Sequence, residues 1–121
     1  MAYLNLDDGF SDHEKVDALS DGAFRLHVAG LCYCAKHLTD GVVPKRKVHR
    51  LTPTYKPTLL RELLDAAMWM PHPDGYEMHD YLDWNKSKAW WIEKREADAK
   101  RLAKWRAKQA ENAERNGDET A

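Results

Sequence analysis

The sequence predicts a mainly α-helical fold with one small β-hairpin and a long C-terminal helix. Three observations carry this. Apolar residues recur at helical spacing over 21–38 and again over 58–68. Pro73-Asp74-Gly75 separates two short runs rich in aromatic residues, a hairpin signal. Residues 86–115 are dominated by Ala, Lys, Arg and Glu, all good helix formers. With 121 residues, 43% of them hydrophobic, the chain can bury one core without disulfides or metal.

Residues 3–10, with Tyr3, Leu4, Leu6 and Phe10 apolar, read as an extended arm packed on the core. A short helix is expected from His13 to Leu19. Ser20 is the natural N-cap of the next helix, Asp21 to Leu38, with Asp21 favourable in its first turn. Phe24, Val28, Leu31, Ala35 and Leu38 make its core face. Thr39-Asp40-Gly41 ends it with turn chemistry, and Gly41 can take the left-handed conformation.

Val42-Val43 is a β stub, and Pro44 suits the first position of a helix running to about Leu51. Pro53 and Pro57 make residues 52–57 a loop. The helix opened by Pro57 or Thr58 buries Leu59, Leu60, Leu63, Leu64, Ala67 and Met68 and turns Thr58, Arg61, Glu62 and Asp65 outward. Trp69-Met70-Pro71 and Tyr76 to Tyr81 form the hairpin. Asn85 is the expected cap of a tail helix from about Lys86 to Arg115.

Helix, stub, helix, helix, hairpin is the order of a winged helix-turn-helix, in which the hairpin is the wing. The expected organisation is a winged-helix domain over 1–84, a charged helix over 85–115 and a disordered tail over 116–121.

The net charge of −1 hides segregation. Residues 41–70 carry 6 Lys/Arg against 2 Asp/Glu, and residues 85–115 carry 10 against 5. Between them, residues 71–84 carry 4 acidic residues and no basic one. Such polarity bears on partners, not on fold. No run approaches the roughly 18–20 apolar residues of a membrane span, and the first residues lack a signal-peptide pattern, so a cytoplasmic location is expected. Cys32 and Cys34 point about 200° apart on a helix, which excludes a disulfide between them, and both are expected to be buried thiols. The six histidines show no ligand spacing, and no nucleophile elbow or phosphate-binding glycine loop is present. Neither a metal, a cofactor nor an enzyme is expected.

Lys45, Arg46, Lys47 and Arg50 form the densest basic cluster of the folded part. On an α-helix Lys47 and Arg50 share a face and Arg46 lies beside Arg50, which would present cations to DNA phosphates. The alternative is an ordinary solvated face. Lys56, Thr58 and Arg61 are what the recognition helix offers to duplex DNA, Arg61 being the candidate for bidentate contact with guanine. Against this, Glu62 and Asp65 share the exposed side and would repel phosphates. The acidic wing, with Asp74, Glu77, Asp80 and Asp83, fits a minor-groove role poorly and keeps open a protein-binding module. In the tail, Trp90, Trp91 and Trp105 stand among many cations, a pattern that can stack single-stranded bases. Trp91, Arg95, Leu102 and Trp105 also lie near one helix face. Residues 86–95 are expected to dock on the domain, with Leu102 and Trp105 left for a partner, most simply a second copy.

Several segments taken together resemble a known family. They are Asp7-Asp8-Gly9-Phe10, His13-Glu14-Lys15-Val16, Leu19-Ser20 with Ala23-Phe24-Arg25-Leu26, and Leu38-Thr39-Asp40-Gly41. They are similar to the N-terminal region of phage replisome-organiser and replication-initiation proteins. Tyr76, then His79-Asp80-Tyr81-Leu82-Asp83-Trp84-Asn85 before a basic tail, resembles the actinobacterial phage variants. The resemblance spans residues 3–95. It departs at Glu14, where proline is usual, and at Tyr3, where tryptophan is common. It implies a winged-helix domain that binds double-stranded DNA at a phage origin or regulatory site, inside a bacterial host, and it supplies no catalytic residues.

Overall fold

Ser20 starts the helix on which the rest is assembled. Its Oγ accepts from the Ala23 backbone N–H at 3.2 Å, the cap geometry expected of it. The computed structural model describes residues 3–120, with the side chains of 83, 84 and 116–120 left aside. It divides into two units, Met1–Lys88 and Ala89–Ala121. The first therefore ends four residues beyond the expected boundary at 84.

In the first unit, a 3-10 turn at Phe10–Asp12 and α1, Glu14–Asp17, lead into α2, Asp21–His37. The core face of α2 keeps Leu31 and Ala35 of the expected one but is turned away from Phe24, Val28 and Leu38. Ala23, Leu26, His27, Gly30, Leu31, Cys34 and Ala35 are buried, while Phe24 and Val28 are only half-buried. The face turns because Gly30 admits Trp69 and Met78 against the helix backbone. A Cβ on Gly30 would lie 2.7 Å from the Trp69 ring and would also strike the Met78 methyl. Cys34 is buried, and that burial pushes its thiol up to about 11 against the opposing effects of Thr39 and the Gly41 backbone. Cys32 points the other way and is exposed, which corrects the expectation that both thiols are buried.

The left-handed residue that directly closes α2 is Leu38, with φ 53°. Gly41 has positive φ too, 93°, as the sequence allows, and turns the chain into β1, Val42–Pro44, against the Tyr81 side chain. The stub is a full member of a small three-stranded antiparallel sheet ordered β1-β3-β2. β2 is Trp69–His72 and β3 is Gly75–Met78, with Val42 opposite Glu77 and Trp69 opposite Met78. Pro73 and Asp74 are the two central residues of the turn, and neither has positive φ. The type I′ turn that a central Asp-Gly pair would make is therefore absent. Gly75 stands one place later, as the first residue of β3.

The segment after β1 differs from the expected α-helix. Lys45–Arg50 is a 3-10 helix, and Pro44 belongs to the strand before it. The β3 turn holds its start, since the Lys45 N–H donates to the Asp74 carbonyl at 3.2 Å. α3, Pro57–Asp65, has Pro57 in its first turn, packs on α2 and buries Leu63, with Leu59, Leu60, Leu64 and Met68 partly covered. It ends before Ala67, which is exposed at φ 57° and not part of the buried stripe.

α4, Tyr81–Trp84, follows the hairpin. Asn85 does not cap the tail. It is buried, its Oδ1 accepts the Asn5 N–H at 2.8 Å, and its amide donates to the Tyr81 carbonyl. Asn85 thus ties the N-terminal arm to α4. The backbone N–H of Lys88 instead donates to Asp40 Oδ1 at 2.7 Å.

The second unit holds α5 from Ala89 on; the helix spans Lys88–Thr120 as against the expected 86–115 and so enters the 116–121 segment. Lys94 and Arg101 both reach Asp98, at 3.2 and 3.6 Å, and Arg115 reaches Glu111. These exposed pairs contribute little each. No helix among the described residues is long and apolar enough to cross a membrane.

Candidate nucleic-acid interface

The 3-10 geometry rearranges the basic cluster. With about three residues per turn, side chains three apart eclipse. Lys47 and Arg50 still share a row, but Arg46 pairs with His49 and not with Arg50. Val48 and Leu51 form the row that turns into the core, Val48 buried and Leu51 partly so. Lys45, Arg46 and Arg50 are exposed, and Lys47 is half-buried.

Tyr55 anchors the connection to α3 by packing on the core beside Tyr76. Burial, and then Tyr76, raise its phenol above the ordinary range. Lys56 stands exposed and extended at the N-cap of α3, with Thr58 and Arg61 exposed after it. Thr58, Arg61 and Asp65 occupy one helix face.

Glu62 leaves that face, which corrects the expectation that it opposes phosphates there. Its Oε2 accepts from the Ser20 N–H at 2.9 Å and from the Ser20 hydroxyl at 3.1 Å. Ser20 thus caps α2 while being held by α3, a tie across 42 residues. Of the two acids of α3, Asp65 is the one left on the exposed face with Arg61.

The hairpin carries its acids outward. Asp74 is exposed near His72, and Asp80 lies 3.2 Å from His79. Glu77 is half-buried, and the Asp83 side chain lies outside the described residues. Because the Asp74 carbonyl holds Lys45, the acidic tip and the basic segment are neighbours. Among the described residues no three His, Cys, Asp or Glu side chains gather as metal ligands would.

In α5, Trp91 is 8% exposed and meets Trp90 edge to face at 4.9 Å. Arg95 is exposed, and Leu102 and Trp105 are 45% and 58% exposed. The four tail residues read as one surface therefore split into a buried Trp91 and an exposed Arg95, Leu102 and Trp105.

One of the polar contacts that the sequence did not reveal lies in the core of the first unit. The Trp69 indole N–H donates to His27 Nδ1 at 2.9 Å in the core. Phe10 stacks on the imidazole at 5.9 Å. Burial lowers the His27 pKa to about 4, so the ring is neutral and Nε2 carries the proton. Its place next to Leu26 on a buried face was the available signal. No family model, curated protein or solved structure matches the chain.

Proposed function

We propose that the chain is a winged-helix DNA-binding protein of phage type, acting in replication initiation or gene regulation. The observation that carries this reading is topological. α2, β1, the 3-10 segment, α3 and the β2–β3 hairpin follow one another in winged helix-turn-helix order, with the sheet ordered β1-β3-β2. The 3-10 segment stands as the first helix of the turn motif and α3 as the recognition helix. Lys45, Arg46, Lys47 and Arg50 would meet phosphates, and Lys56, Thr58 and Arg61 would face the groove. The resemblance to phage replication-initiation proteins points the same way. Docking Glu62 on Ser20 removes one of the two carboxylates that weighed against α3.

Changing Lys45, Arg46, Lys47 and Arg50 together to Ala should weaken binding to every duplex and flatten the salt dependence by up to about four phosphate contacts. Thermal stability should hardly change. Unaltered affinity with an unaltered salt slope removes these residues from the interface. Arg61→Ala should relax preference at one base position at a cost of about 1–3 kcal/mol, measured by competition among single-base variants of a selected site. An equal loss on all sequences makes Arg61 a phosphate contact.

A second reading rests on the exposed carboxylates of the hairpin and on the exposed Leu102 and Trp105. In it the winged domain binds a host or phage protein through the acidic wing and the C-terminal helix, or pairs with a second copy through that helix. A chain that ignores duplex DNA at low salt works this way.

A further inference from the structure

A cavity of about 320 Å³ opens inside the first unit, walled by the N-terminal arm, α2 and the chain around His79–Asn85. None of the seven candidate DNA-contacting residues lines it. Its apolar wall includes Phe10, Val16, Leu31 and Met68, and His27 and Lys15 are among its polar residues. A largely apolar cavity with a few placed polar groups is the usual form of a small-molecule site.

His27 is 5% exposed. Its Nδ1 is taken by the Trp69 indole, and its Nε2 has no hydrogen-bond partner among the described residues. In this tautomer Nε2 is a donor, and an imidazole that lines the cavity offers that donor to an occupant. Some of the acceptors around the cavity already face a protein donor. Asp7 Oδ2 accepts from the Gly9 N–H at 3.3 Å, His13 Nδ1 accepts from the Lys15 N–H at 3.3 Å, and Asp80 faces His79 at 3.2 Å. Asn85 Oδ1 is held by Asn5. Two of the lining residues offer donors, His27 through Nε2–H and Lys15 through its ammonium. The Phe10 ring, nearly parallel to the imidazole at 16°, gives the cavity an aromatic wall on which a ligand ring can pack.

We propose that this cavity binds a small aromatic molecule carrying a carbonyl or carboxylate oxygen, which accepts a hydrogen bond from His27 Nε2. The Trp69 indole N–H, on the other side of the same imidazole, reports occupancy. The probes are benzamide, and toluene as a ring of similar size without an acceptor. Both are titrated into the full ¹⁵N-labelled chain, with the Trp69 indole signal assigned by Trp69→Phe.

Benzamide should shift that signal saturably, with a dissociation constant on the order of 1 mM, and toluene should bind about tenfold more weakly. His27→Phe keeps a ring but removes the donor, and should weaken benzamide about tenfold. Should that variant fail to fold, Phe10→Ala decides, because Phe10 lies in a 3-10 turn outside the sheet. It should weaken benzamide at least about threefold. The proposal is overturned if no saturable shift occurs, if toluene binds as well as benzamide, or if a folded His27→Phe or Phe10→Ala protein binds benzamide as the natural chain does.

Discussion

Gly75→Ala is expected to destabilise the first unit by about 3 kcal/mol or more, combining backbone strain with overpacking against a strand. Gly75 begins β3 at φ 154°, a conformation that side chains with a Cβ rarely adopt. It also lies opposite Pro44 in the β1 pairing. A Cβ there would meet the Lys45 nitrogen at 2.5 Å and the Pro44 carbonyl carbon at 2.8 Å, and would strike the Val43 oxygen. All three are backbone atoms, so no side chain can swing aside. Relief requires β1 and the hairpin to separate, and the same movement frees the Asp74–Lys45 tie that places the basic segment. Because a small domain has only about 5–15 kcal/mol of total stability, such a loss is readily measured. Gly9→Ala is the control. Its φ is −86°, and its added Cβ would meet only the Asp7 carboxylate at 3.1 Å, so a change below about 0.5 kcal/mol is expected. Urea midpoints at constant slope measure both. Equal midpoints for Gly75→Ala and the natural chain mean that β1 does not lie against Gly75 as described.

What was legible in the sequence was local. The Ser20 cap, the leucine spacing of α3 and the hairpin around Pro73-Asp74 each depend on residues within a turn or two of one another. What was not legible depends on distant partners. The α2 face is set by how closely Trp69 and Met78 approach Gly30, and a count of apolar residues gives no weight to a glycine or a histidine. Glu62 looks like an outward charge on α3 until Ser20 is placed beside it. The third strand depends on β1 finding β3, which lies some thirty residues away in the chain. The basic segment was found by composition, but its face depends on a choice between 3-10 and α geometry. Pro44 could open a helix or close a strand, and pairing with Gly75 decides for the strand. The cavity was invisible for the same reason, since its walls come from four separate stretches of chain.

Acidification from pH 7 to pH 4 is expected to remove about 3 kcal/mol of stability through His27 alone. Burial holds the imidazole pKa near 4 in the folded chain, against 6.5 for an ordinary histidine. Between those values the unfolded chain takes up a proton that the folded chain refuses. The unfolded state therefore binds more protons, and stability rises with pH across the window. The contribution is complete above about pH 6.5 and is lost progressively as pH falls towards 4. The structural cause is double. A charge on this ring would sit in the core beside Phe10, and a proton on Nδ1 would set a donor against the Trp69 indole N–H, which now donates to it. His27→Gln isolates the effect, because an amide oxygen can still accept from Trp69 and the side chain does not titrate. Carboxylates lose their charge in the same acid range, but they do so in both proteins and cancel in the difference. Urea unfolding of the natural and variant chains, followed by tryptophan fluorescence at several pH values from 7 to 4, gives that difference directly. It should shrink with acid by about 1.4 kcal/mol for each pH step inside the window. A difference that stays flat from pH 7 to pH 4 means that the imidazole is solvated or already protonated. The Trp69–His27 contact would then not be part of the folded core.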